Sequence, residues 1–171
     1  MKPPCADHAF EKHDHHTCVQ TALAKAENIC RERKGRLTAQ RKRVLELVWS
    51  SHKPVGAYAV LEILRADGFN GAPPTVYRAL DFLLEHGLIH RIESLNAYTG
   101  CAHPGDQHSG QFLICSQCDK VAEVDDPKVD AAISNSAQQH GFSADHQIIE
   151  IRGTCPSCQA EGNQEHTENA R

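Results

Sequence analysis

Four helical periods run along the first half of this chain before any strand-like alternation begins. Thr17 with Gln20 forms a capping box, and Val19, Leu23, Ala26 and Ile29/Cys30 recur on one helical face until Gly35 stops the run. Thr38 opens a second helix with Val44, Leu45, Leu47 and Val48 inward; it ends near Ser50, and Pro54 bars its continuation. A third is predicted from Ala57 to Asp67, with Tyr58, Leu61 and Leu64 in register and Gly68 as its stop. The fourth starts at Pro74, turns Val76, Ala79, Leu80, Leu83 and Leu84 inward, and ends at Gly87.

Beyond Gly87 the period shortens. Residues 88–93 and 97–101 read as two short strands joined by a turn at Ser94–Asn96, and helices followed by a hairpin predict a winged helix over 17–101. Residues 102–110, with one Pro and two Gly, read as a linker. Then come strands at 111–115 and 120–125, a helix capped by Asp126 with Pro127 in its first turn and ending at Gly141, and a last strand over 142–153. The predicted fold class is therefore α+β: an N-terminal winged helix and a small α/β domain over 111–158. A His-rich tail, 1–16 (Cys5, His8, His13, His15, His16), lacks periodicity and is expected to be disordered, with loose metal chelation as an option; 159–171 form a polar tail.

Composition narrows the class. At 171 residues and 40% hydrophobic the chain can bury an ordinary core. No apolar run approaches 18 residues and Met1 to Gln20 is polar, so neither membrane span nor signal peptide is predicted, and the cytoplasm is the expected compartment. Eight cysteines and twelve histidines in such a chain point to metal rather than disulfides. The net charge of −4 conceals an asymmetry: residues 25–93 carry 12 Lys/Arg against 8 Asp/Glu, net +4, leaving −8 elsewhere.

Two knuckles, Cys115-Ser116-Gln117-Cys118 and Cys155-Pro156-Ser157-Cys158, supply four thiols and read as one structural zinc site, since a two-residue spacing presents both sulfurs to one ion. The 36 residues between them, 119–154, exceed the roughly 15–20 of a compact zinc ribbon, so the metal would clip together distant ends of a larger unit. Two disulfides or a redox pair is the competing reading. In the fourth helix, setting Val76, Leu80 and Leu83 inward aims Arg78 outward, with Thr75 and Tyr77 on the flanks. The N-terminal residues of a recognition helix reach base edges, and Arg on guanine is the commonest specific contact. Arg31, Arg33, Lys34, Arg36, Arg41, Lys42 and Arg43 would supply phosphate-neutralising charge.

Arg36-Leu37-Thr38-Ala39-Gln40-Arg41, Ala57-Tyr58, Pro73-Pro74-Thr75-Val76-Tyr77-Arg78-Ala79-Leu80-Asp81-Phe82-Leu83 and the two knuckles together resemble the ferric uptake regulator (Fur) family, over about residues 20–158. The fourth-helix motif and Leu88-Ile89-His90-Arg91-Ile92-Glu93-Ser94 are most similar to its zinc-responsive branch. The resemblance implies a homodimeric, metal-dependent repressor of zinc-uptake genes that binds palindromic double-stranded operator DNA, with no small-molecule substrate and no membrane partner. It implies DNA contacts at Tyr58, Tyr77 and Arg78 and structural zinc on Cys115, Cys118, Cys155 and Cys158.

A sensor must bind its metal where geometry between the domains changes, so its ligands should come from both sides of the linker. His90, Cys101, His108 and Glu123 meet that requirement and match the sensor positions of zinc regulators, making two Zn2+ per chain; His103 competes with His108. A thiolate with two imidazoles suits zinc, whereas iron(II) or manganese favours N/O ligands. His146 and Glu150, with Asp106 or His108, offer a further metal site, and Cys30 is expected in the core. Within the family the alternative is an iron-, manganese- or peroxide-responsive regulator. Outside it, Cys101 with His90 or His103 as thiol nucleophile and base lacks an oxyanion-hole motif, so no enzyme is expected. A zinc-stapled protein-interaction module leaves the Arg78 helix unexplained.

Overall fold

The computed structural model describes residues 9–10, 15–69, 71–105 and 108–161. Helices α1 (His15–Glu32), α2 (Ala39–Trp49), α3 (Ala57–Ala66) and α4 (Pro73–Glu85) come first, then strands β1 (Ile89–Ile92) and β2 (Ala97–Gly100), joined by a 3-10 turn at Glu93–Leu95. Strands β3 (Gly110–Cys115) and β4 (Val121–Val124), helix α5 (Pro127–Gln139) and strand β5 (Ile148–Gly153) follow. A further helical turn covers 156–161.

The predicted α+β architecture and winged helix are present. Thr38 caps α2, its hydroxyl accepting from the Arg41 amide at 3.3 Å. Pro73 stands at the start of α4, one residue earlier than expected. Its end is closed by Gly87 at φ +64°, a left-handed position that costs glycine nothing, with Gly87 N–H on Leu84 C=O and Leu88 N–H on Leu83 C=O. That closure aims the chain straight into β1, with Gly87 three residues before His90. Strands β1 and β2 pair antiparallel, and reciprocal 2.9 Å bonds between Val55 and Tyr98 tie the hairpin to the α2–α3 loop. The core of this half comprises the inward faces of α1 to α4 with Leu88, Ile89 and Tyr98.

Several expectations need correction. Helix α1 starts at His15, inside the segment expected to be disordered, and Ala9 is buried. Cys5, His8 and His13 lie outside the described residues. Cys18 is disulfide-bonded, against the expectation that the cysteines serve metal or core, whereas Cys30 is buried in the core as expected. In α3 it is Val60 with Leu61 and Leu64 that faces the core, and Tyr58 points out at 73% exposure. In α4 Phe82 is buried and Leu84 only partly.

The second half is a three-stranded sheet in the order β4-β3-β5, with β3 antiparallel to β4 and parallel to β5. Asp126 caps α5 by accepting from Lys128 N–H at 2.9 Å. Strand β5 begins at Ile148, not at residue 142, because β3 offers pairing partners only from Gly110 opposite Ile148 onward. The two halves meet at a small apolar cluster in which Ile92 and Leu95 of the hairpin pack with Phe112, Ile114 and Val121. Val121 N–H also donates to His52 C=O at 2.9 Å.

Candidate functional site

Two groups of metal-capable side chains occur among the described residues, each with its donor atoms all within 4.8 Å of one another. The first is Cys115, Cys118, Cys155 and Cys158. Cys115 ends β3, and the turn after it closes through Asp119, at φ +59°, whose N–H donates to Cys115 C=O. Ser116 N–H reaches Gly153 C=O at 2.8 Å, so the first knuckle is pinned to the end of the strand that leads to the second. The sulfurs of Cys115 and Cys158 stand 3.9 Å apart and those of Cys118 and Cys155 3.8 Å. Thiolates at about 2.3 Å on the corners of a tetrahedron are about 3.8 Å apart, whereas a disulfide needs about 2.05 Å, so the spacing fits one ion and not two bridges. Burial pushes the Cys115 thiol up, but amides of Cys155, Cys118 and Gln117 outweigh it and bring it down to about 6. Hydrogen bonding to Cys155, with burial, pushes Cys158 up to about 12. A divalent cation held by these four residues would keep all four as thiolates.

The second group is His90, Cys101, His108 and Glu123. His90 sits on β1, Cys101 follows β2, His108 precedes β3 and Glu123 is on β4, where it faces Phe112 in register. The Glu123 Oε1 atom is 2.7 Å from His108 Nε2 and 2.8 Å from His90 Nε2. The two imidazole nitrogens are 3.2 Å apart, and Cys101 Sγ is 3.5 Å from His108 Nε2. One soft sulfur, two imidazoles and one carboxylate converging in this way form a donor set suited to zinc. The other Glu123 oxygen accepts from Ala102 N–H at 2.7 Å. Burial pushes the Glu123 carboxyl up, yet the bonds from His108 and His90, the His90 charge and the Ala102 amide prevail and bring it to about 2. Burial works against the charge on His90, and its bonds to Cys101 and Glu123 raise it to about 9.

His103, the competitor for the histidine position, lies outside this group; its ring centroid is 6.0 Å from that of His108, and its Nδ1 is buried with no hydrogen-bond partner among the described residues. His146 precedes β5 and belongs to neither group, Glu150 is engaged elsewhere, and Asp106 lies outside the described residues. On the helical half Tyr58 and Tyr77 are 73% and 43% exposed; Arg78 and Arg36 are exposed and Thr75 half-buried. Of the basic cluster, Lys42 pairs with Glu27 at 3.0 Å and Arg43 with Asp67 and Glu46 at 2.7 and 3.1 Å. The Arg41 guanidinium stacks 3.6 Å above the Phe82 ring and donates to Arg36 C=O at 2.7 Å.

Two supports carried no spacing signal. Phe10 packs against the cysteine cluster and its C=O accepts from Ser157 Oγ at 2.8 Å. Beside His108, buried Gln111 donates to Asp130 Oδ1 at 2.7 Å, Gln147 donates to the same oxygen at 3.0 Å, and Ser109 Oγ is bonded to it as well, which ties the segment before β3 to α5.

A winged helix joined to a sheet that carries four clustered cysteines, with a Cys/His/His/Glu group at the junction, defines a metal-handling two-part regulator-like fold. Residues 32–152 match the model of the Ferric uptake regulator family, and the chain belongs to that family. The zinc uptake regulation protein of Escherichia coli (strain K12) is 42% identical over 144 residues, 83% of this chain and 84% of that protein. That of Mycobacterium tuberculosis (strain ATCC 25618 / H37Rv) is 32% identical over 128 residues, 73% of this chain and 95% of that protein. A solved zinc uptake regulator complexed with zinc and DNA aligns with a TM-score of 0.80 at 39% identity, over 85% of this chain and 97% of that one.

Proposed function

We propose that this chain is a zinc-responsive transcriptional repressor that binds palindromic operator DNA as a homodimer and controls zinc-uptake genes. The observation that carries this reading is the make-up of the junction group: two donors, His90 and Cys101, lie within and just after the hairpin, and two, His108 and Glu123, precede and lie within the second sheet. Zinc bound there supplies a cross-link among donors of both halves, and the thiolate selects it over iron(II) or manganese. Glu123 meanwhile holds the Ala102 amide, so the segment after β2 is oriented by the same carboxylate that faces both imidazoles. A ligand that prefers one orientation of the halves shifts the population only by the size of that preference.

Cys115, Cys118, Cys155 and Cys158 hold a second, structural zinc, making two per chain, and 111–158 act as the dimerisation domain. Tyr58, Thr75, Tyr77 and Arg78 face the operator, with Arg78 on a guanine edge and Arg36 and Arg41 near phosphates. Among the described residues no helix is long and apolar enough to cross a membrane, and the reading places the repressor in the cytoplasm with no catalytic role.

Operator binding titrated with zinc, iron(II) and manganese tests this. Wild type should gain affinity with zinc, whereas Cys101→Ser should remain a dimer with one zinc per chain and gain nothing. Wild-type operator affinity for Cys101→Ser at saturating zinc would remove Cys101 from the sensor site and reopen the iron or manganese alternative.

A further inference from the structure

Glu150 is drawn by sequence pattern toward an extra metal site, yet the structure gives it a different partner. Its Oε1 accepts from Glu93 N–H at 2.6 Å and its Oε2 from Ser94 N–H at 3.2 Å, so the two backbone amides are held by one carboxylate from 57 and 56 residues away. These amides open the 3-10 turn that joins β1 to β2. The first amides of any helical turn have no partner within it and must find an acceptor elsewhere. A carboxylate is a strong one, since charge-assisted bonds are roughly twice as strong as neutral ones.

We propose that Glu150 is a positioning residue for DNA binding: a latch by which the second sheet holds the hairpin in its zinc-bound orientation. The proposal rests on the reading of the chain as a zinc-responsive DNA-binding protein. Three observations connect the latch to the metal group. Glu93 lies three residues beyond His90 on the same short strand and turn. Glu150 stands opposite Phe112 across the β3–β5 pair, and the Phe112 ring is 5.2 Å from the His90 ring. Ile92 and Leu95, on either side of the gripped amides, pack into the cluster built on Phe112.

The hairpin is therefore backed at His90 by Phe112 and gripped at its turn by Glu150, two neighbours in one sheet. It cannot swing away from that sheet without breaking both carboxylate bonds and withdrawing Ile92. Metal group and latch act on the same rigid piece, so each stabilises the orientation the other needs, and by linkage the loss of one weakens the other. The grip uses backbone, so it is indifferent to the side chains at 93 and 94. It demands an acceptor at 150, and glutamine keeps one carbonyl oxygen where alanine keeps none. The Glu93 carboxylate is turned to Arg91, 3.4 Å away, which limits its repulsion with Glu150.

The test uses the full-length dimer with Glu150→Ala and Glu150→Gln, and reads zinc content, operator affinity at saturating zinc, and hydrogen exchange at the Glu93 and Ser94 amides. Zinc content should equal wild type, operator affinity should fall about tenfold for alanine with glutamine intermediate, and both amides should exchange at least about tenfold faster in Glu150→Ala. Unchanged exchange together with wild-type affinity would overturn the latch. Loss of a zinc ion from Glu150→Ala at saturating zinc, beyond the weaker affinity that linkage allows, would also overturn it, returning Glu150 to a ligand role. If wild type itself gains no operator affinity with zinc, the functional reading falls, and amide exchange still decides the latch.

Discussion

An arginine on a DNA-binding face contributes through whatever it is free to touch. Arg78 is exposed on the first turns of α4, whereas Arg41 already lies over the Phe82 ring and donates to Arg36 C=O. The first is available for a base edge; the second helps hold the α2 N-terminus against α4. Their alanine variants should therefore differ in kind. Arg78→Ala should cost ~1–3 kcal/mol on operator DNA, change non-specific binding little and leave the melting temperature unchanged. Arg41→Ala should weaken operator and random DNA alike, and should also lose the stacking contact, ~0.5–1 kcal/mol, seen as a melting temperature lower by about 2–4 °C. Equal losses on operator and random DNA for Arg78→Ala would demote it to a phosphate contact.

At the scale of elements, the hairpin is seated by a close approach that only glycine permits. A Cβ on Gly100 would lie 2.2 Å from Trp49 Cε2 and 2.5 Å from its Nε1, and Gly100 immediately precedes Cys101. Gly100→Ala should push the indole and the end of β2 apart, at a cost of about 1–3 kcal/mol for overpacking. Thermal unfolding should show this directly, and zinc-dependent operator affinity should drop in parallel because Cys101 moves with the strand end. An unchanged melting temperature would mean that Trp49 repacks freely. The helices were legible in the sequence because caps such as Thr38 and Asp126 and a 3.6-residue apolar period are local signals. Tyr58 points outward although positions 58, 61 and 64 fit one helical face as well as 60, 61 and 64 do, and only packing chooses between them. Cysteine, histidine and glutamate announce metal chemistry by type, but the choice of His108 over His103 is a matter of geometry. Bonds such as Glu150 to Glu93 and Gln111 to Asp130 join residues far apart, so no spacing could have shown them.

The molecule as a whole leaves several large apolar side chains exposed on its second half. Phe142, Ile151, Ile148 and Ile133 are 66%, 54%, 41% and 38% exposed, and α5 buries no residue. Exposed apolar side chains offer surface for association, and a second copy of the chain is the partner that the proposed homodimer supplies. Symmetry then sets what the dimer must deliver: two copies of α4 placed about one turn of DNA apart, ~34 Å, or a multiple of it. In the proposed dimer the pairing face and the orientation of the winged helices are separate requirements, the first assigned to the sheet and α5, the second to the junction group and Glu150. Ile151→Glu should accordingly place a charge in the pairing face and give a folded monomer, measured by sedimentation, that retains two zinc ions per chain and binds a single half-site weakly. His90→Ala should do the reverse, remaining a dimer of wild-type mass with one zinc per chain and no zinc-dependent gain on the full palindrome. If Ile151→Glu sediments as a dimer, the pairing surface lies elsewhere on the second half and the exposed isoleucines need another partner.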